Sequence, residues 1–127
     1  MDTKTIIVHW IESAQEDKQT AESLFASGHY HWCLFLWHLV LEKLFKAKIT
    51  SQEREVPFTH NLVLLASESS ILYSDQEKEE LQEITTFNLE ARYDDYKQEF
   101  YKKATKEYAT TQIAICKRWE EKIRRAL

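Results

Sequence analysis

The chain has 127 residues, a length that supports one domain around one core. One glycine, one proline and abundant Glu, Lys, Leu and Ala leave out the turn punctuation of a strand-rich fold, so the composition predicts an all-α protein. A formal charge of −4 and an acidic isoelectric point exclude a protein that coats nucleic acid by bulk electrostatics, while leaving room for a local basic patch.

The stretch from Met1 to Trp10 has no apolar run long enough for a secretory signal, and Glu12 follows closely. The expectation is a cytoplasmic protein. Residues 4–26 place Ile7, Trp10, Ile11, Ala14, Ala21, Leu24 and Phe25 at helical spacing, an amphipathic first helix ended by Gly28. Asp17 lies seven residues from both Trp10 and Leu24, on the stripe that should face the core. A carboxylate buried alone costs several kcal/mol, so Asp17 calls for a cation on a neighbouring helix.

Residues 30–49 are the most apolar part of the chain. From Trp32 to Leu41 every residue except His38 is apolar or Cys, so a helix there cannot keep one side in water. The run is too short for a bilayer, which takes ~20 mostly apolar residues, and Glu42, Lys43 and Lys46 interrupt it. It is read as the central helix of a bundle, with part of its surface left for a second subunit. Lys43, Lys46 and Lys48 complement the helix dipole at its C-terminal end. Cys33 and Cys116 sit in apolar helical stretches and read as buried, reduced thiols rather than a disulfide.

A loop follows over residues 50–60, broken by Pro57. Leu62, Val63, Leu65 and Ala66 predict a short third helix with Thr59 as its cap, and a turn spans Ser69 to Ser74. Ser74 and Glu77 form a capping box that opens a fourth helix of about three turns through Leu81, Ile84 and Phe87. Between Asn88 and Lys103, Tyr93, Tyr96, Phe100 and Tyr101 put four aromatics within nine residues, which implies an ordered connection. Thr105 caps a last helix that runs to about Ala126 with Tyr108, Ile113, Cys116, Trp119 and Ile123 inside. Residues 1–127 read as a single domain without internal repeats.

His38 and Glu42 share a helix face, but no set such as His-Glu-x-x-His converges with them, so no metal is expected. His38 reads as a core histidine bonded to a neighbouring helix, and His29 and His31 as surface residues at a helix start. Neither cysteine has a reason to be a thiolate, no serine sits on a strand-to-helix elbow, and a lone Gly28 cannot make a phosphate-binding loop. What remains is a set of polar residues in apolar surroundings: Asp17, His38, Glu42, Lys43, Lys46, His60, Arg92 and Tyr93. One reading is a buried polar network that fixes helix register. The other is an anion site in which Lys43, Lys46 and Arg92 face a phosphate, Arg92 offering bidentate geometry.

These residues resemble the HEPN domains (higher eukaryotes and prokaryotes nucleotide-binding). The resemblance is carried by Asp17 within Ala14-x-x-Asp17-x-x-x-Ala21, by Gly28-His29-Tyr30, by His38-x-x-x-Glu42-Lys43-x-x-Lys46-Ala47, by Pro57-x-Thr59-His60-x-Leu62 and by Ala91-Arg92-Tyr93, in that order over most of the chain. It implies an up-and-down antiparallel bundle of four to five helices that pairs as a homodimer. It further implies nucleotide or RNA binding and a nucleotidyltransferase partner in a prokaryotic toxin–antitoxin or defence setting; separately, no membrane and no cofactor are expected. Some members are metal-independent ribonucleases with an Arg, four to six residues, then a His. Arg92 is followed by no His, so that pattern is missing where it belongs; Arg54 and His60 satisfy the spacing in a different loop, a match that chance readily supplies.

The resulting expectation is a noncatalytic HEPN-type module with Lys43, Lys46, Arg92 and Tyr93 at the ligand and Tyr96 as a further stacking ring, around a polar network of Asp17, His38, Glu42 and His60. Two alternatives stay open: a ribonuclease toxin with an unconventional site at the dimer interface, and a structural bundle for protein interaction.

Overall fold

The computed structural model describes residues 2–92 and 94–127, giving the backbone alone for residues 89–92 and 94–97. Six helices follow one another: α1 (Thr3–Ala26), α2 (Tyr30–Ser51), α3 (Leu62–Glu68), α4 (Asp75–Arg92), α5 (Asp94–Lys103) and α6 (Lys106–Ala126). The four long ones make the antiparallel bundle, and α3 and α5 are the short excursions. Among the described residues there is no strand, and no helix is long and apolar enough to cross a membrane.

Local chemistry sets the helix ends. Asp2 accepts a hydrogen bond from Thr5 N–H at 2.8 Å, and this bond holds its carboxyl below the usual carboxylate range. Gly28, at φ +81°, closes α1: its N–H donates to the Phe25 carbonyl and His29 N–H to the Leu24 carbonyl, a Schellman arrangement. Ser74 and Glu77 cap α4 reciprocally, Glu77 N–H donating to Ser74 Oγ at 3.1 Å and Ser74 N–H to Glu77 Oε1 at 3.0 Å. Thr105 accepts from Tyr108 N–H at the head of α6.

Three expectations need correction. The cap of α3 is Asn61, whose Oδ1 accepts from the N–H groups of Val63 and Leu64; Thr59 sits two residues earlier and accepts from Asn61 N–H. The fourth helix is 18 residues long rather than three turns, because Phe87 and Asn88 remain buried and carry the helix on. Its continuation to Arg92 and helix α5 take up the described part of the stretch expected to be an ordered connection, with Tyr93 outside the described residues. His31 is buried rather than at the surface, with its ring against Trp32 and Tyr101.

Helix α2 is the axis, in contact with every other helix. Trp37, Phe45 and Trp119 fill the centre, and Phe87 stacks on Phe100 toward one end. Cys33 and Cys116 are free and fully buried. One strip of α2 is only half-buried, through Trp32, Phe35, Leu36 and Leu39, and Lys43 and Lys46 continue the same strip.

Candidate functional site

The polar end of that strip is where the charged residues collect. Positions 38, 42 and 46 of α2 are successive i, i+4 neighbours, so His38, Glu42 and Lys46 stand in a row along one side. Helix α1 packs alongside and contributes Trp10, Ser13 and Asp17. The loop before α3 contributes His60.

Glu42 is the hub. Its Oε1 accepts from His60 Nδ1–H at 2.8 Å and its Oε2 from Lys46 Nζ at 2.9 Å, although the residue is only 4% exposed. Burial works to raise its pKa, but the bonds from His60 and Lys46 outweigh burial and hold the carboxyl below its ordinary value. Lys46 lies over the Trp10 ring, 5.3 Å from its centroid.

His38 anchors the loop from inside. Its Nε2 is 2.9 Å from the His60 carbonyl, and a carbonyl only accepts, so Nε2 carries the hydrogen. Its Nδ1 then presents a lone pair, 3.8 Å from Glu42 Oε1 and without a hydrogen-bond partner among the described residues. Complete burial pushes His38 down to about 4, so the ring is neutral at physiological pH. His60 is thereby gripped twice, through its carbonyl by His38 and through Nδ1 by Glu42. Its side chain is nevertheless 55% exposed, and Nε2 lies on the edge of the ring opposite the Glu42 bond.

The second cluster ties α2 to α1. Lys43 Nζ donates to Asp17 Oδ2 at 2.6 Å and to Ser13 Oγ at 2.7 Å, with both charged side chains about one-fifth exposed. The cation that Asp17 requires is therefore Lys43. The sequence marked Trp10 only as an apolar position of α1 and did not mark Ser13, although both lie on the Asp17 face at positions −7 and −4.

The structure thus brings His38, Glu42, Lys46 and His60 together, with Asp17 and Lys43 beside them. Lys43 and Lys46 each face a carboxylate of the same chain instead of standing free for an anion, and Asp17 and Glu42 balance their charge. The side chains of Arg92, Tyr93 and Tyr96 lie outside the described residues. Arg54 donates to the Glu68 carbonyl at 2.7 Å and carboxylate at 2.5 Å, and forms no bond to His60. Among the described residues no group of three or more His, Cys, Asp or Glu is placed to hold a metal ion. An exposed imidazole, oriented by a buried carboxylate, is what this arrangement offers a ligand: its Nε2 accepts a hydrogen bond or proton when neutral and donates when protonated.

Comparison with known proteins gives two matches. The family model described as HEPN domain matches residues 7–125. The crystal structure of TT1696 from Thermus thermophilus superposes with a TM-score of 0.82 at 16% sequence identity, covering 95% of this chain and 98% of that one, a likeness of fold. No curated protein matches the sequence.

Proposed function

The chain belongs to the HEPN domain family, and from that membership we propose a noncatalytic helical module that binds the phosphate of a nucleotide or RNA as a homodimer. The observation that carries the reading is His60, whose Nδ1 bond to Glu42 fixes the ring while its side chain stays 55% exposed. Protonated, such a ring donates from Nε2 to a phosphate oxygen. Arg92 closes α4, two turns beyond Thr85, whose hydroxyl accepts from Leu62 N–H at 3.1 Å beside His60. In this proposal Arg92 supplies the guanidinium and Tyr93 the stacking ring. Lys43 and Lys46 reach the phosphate only by loosening their bonds to Asp17 and Glu42, which makes them secondary ligands.

The half-buried strip of Trp32, Phe35, Leu36 and Leu39 supports the homodimer, because two copies related by a twofold axis would each cover the other's apolar surface. The proposed setting is the cytoplasm of a prokaryote, beside a nucleotidyltransferase of a toxin–antitoxin or defence module; this part rests on the family alone. Millimolar ATP or GTP should raise the melting temperature, and Arg92→Ala should abolish the rise. No rise with either nucleotide would remove the reading.

One observation favours a second reading. A carboxylate that orients an exposed imidazole also equips it to move a proton through Nε2, as a ribonuclease requires. Cleavage of a fluorogenic RNA that disappears in His60→Ala would select this alternative; an uncut substrate selects the noncatalytic module.

A further inference from the structure

Helices α1 and α6 run antiparallel on either side of α2, and their facing side chains form rungs. Arg124 donates to Gln15 Oε1 at 3.4 Å, and one turn along Lys18 pairs with Glu120 at 3.1 Å. One turn further the rung is Glu22 on α1 and Lys117 on α6, opposite charges facing across the same gap. Among the described residues these two form no ion pair with each other or with anything else. The gap is held open by a cavity of about 350 Å³, within the size range of small-molecule sites. Trp37 of α2, only 1% exposed, lies at its floor, and Phe25 and Ile113 form half-buried apolar walls.

An apolar slot with one carboxylate and one ammonium at its mouth has a matching ligand chemistry. A free α-amino acid carries an ammonium and a carboxylate on one carbon, and a large side chain next to them. We propose that this slot binds a free α-amino acid with a large apolar side chain, its ammonium on Glu22, its carboxylate on Lys117 and its side chain over Trp37. The ligand completes the open rung as Lys18 and Glu120 complete theirs. Each charge on the ligand meets its opposite at a water-exposed mouth, while the side chain takes apolar surface out of water. Compounds with only one of the two charges leave one partner unmatched. The site lies away from His60 and does not depend on phosphate binding.

The experiment is a titration of the full chain with L-phenylalanine, followed through the indole N–H signals of its four tryptophans, Trp37 being identified with Trp37→Phe. The Trp37 signal should shift and saturate while that of Trp10 stays in place. Phenylacetate and phenethylamine, each with one charge, should bind at least about tenfold more weakly. Ala114→Trp, at an exposed position lining the slot, should plug it and abolish the shift. Lys117→Glu should weaken L-phenylalanine by about tenfold and should not weaken phenethylamine. The proposal is overturned by the absence of a saturable Trp37 shift up to ~10 mM ligand, a concentration that detects affinities down to the millimolar range. It is equally overturned if the single-charge analogues bind as well as L-phenylalanine, or if a folded Ala114→Trp protein binds normally.

Discussion

Lys43 Nζ lies 2.6 Å from Asp17 Oδ2, and this bond, reinforced by Ser13, joins the two longest helices of the chain. Because both side chains are about one-fifth exposed, the pair ranks between a surface ion pair and a fully buried one. Asp17→Asn should therefore cost about 1–2 kcal/mol in urea denaturation, less than the loss of a fully buried partner. Adding Lys43→Met should recover part of that loss, since the stranded ammonium is then gone. A double variant less stable than the sum of the two singles would contradict the pairing.

His38 makes the fold acid-sensitive in a defined window. The unfolded chain takes up a proton on this ring near 6.5, whereas burial in the folded chain holds it down to about 4. Between those values only the unfolded state binds the proton, so stability is fully present above about 6.5 and is lost as the pH falls toward 4, by a total on the order of 3 kcal/mol. Glu42, with its pKa lowered, adds a loss at still lower pH, in the carboxylate range. Denaturation midpoints should fall between about pH 7 and pH 5, and His38→Gln should flatten that slope. An equal slope in both proteins would show that another group is responsible.

The strip on α2 leads to an expectation about mass. The protein should elute as a pair of 15.2 kDa chains in light-scattering chromatography, and Leu36→Glu with Leu39→Lys should convert it to a monomer that remains helical. A wild-type monomer at high micromolar concentration would leave the apolar strip without the partner assigned to it.

The thiols should be silent in the native state. Burial pushes Cys33 up to about 12 and Cys116 upward as well, so neither supplies thiolate near neutral pH. A thiol reagent at about pH 8, where a free cysteine is substantially ionised, should label no cysteine in the native chain and both after denaturation. Rapid labelling of either native thiol would mean that the α2–α6 contact opens readily.

Much of this architecture is written locally. Gly28 stops α1 because only its positive φ is cheap there, and Ser74 with Glu77 starts α4 because each satisfies the other's backbone donor. Asp17 announced its need for a cation because a carboxylate broke an apolar stripe. Asn61 rather than Thr59 caps α3 because it stands immediately before Leu62, within reach of the Val63 and Leu64 N–H groups, a local signal. Other features depend on residues distant in sequence. The pinning of His60 to Glu42 and His38 is signalled by nothing within three residues of it. His31 is buried because Tyr101, seventy positions away, closes over it. Lys43 looked available for an anion because its carboxylate partner is fixed only when α1 and α2 have packed, whereas the i, i+4 pair of Glu42 and Lys46 was within reach of the sequence.

The direct test of the phosphate-binding proposal is a titration of the His60 ring signals with ATP and with a short single-stranded RNA, in the wild type and in His60→Asn. The substitution keeps an N–H donor for Glu42 and removes Nε2. The expected result is a saturable shift of the His60 signals and at least a roughly fivefold loss of affinity in His60→Asn, about 1 kcal/mol, with stability preserved. Unchanged affinity in a folded His60→Asn protein, or a wild-type ring that does not respond to either ligand, would contradict it.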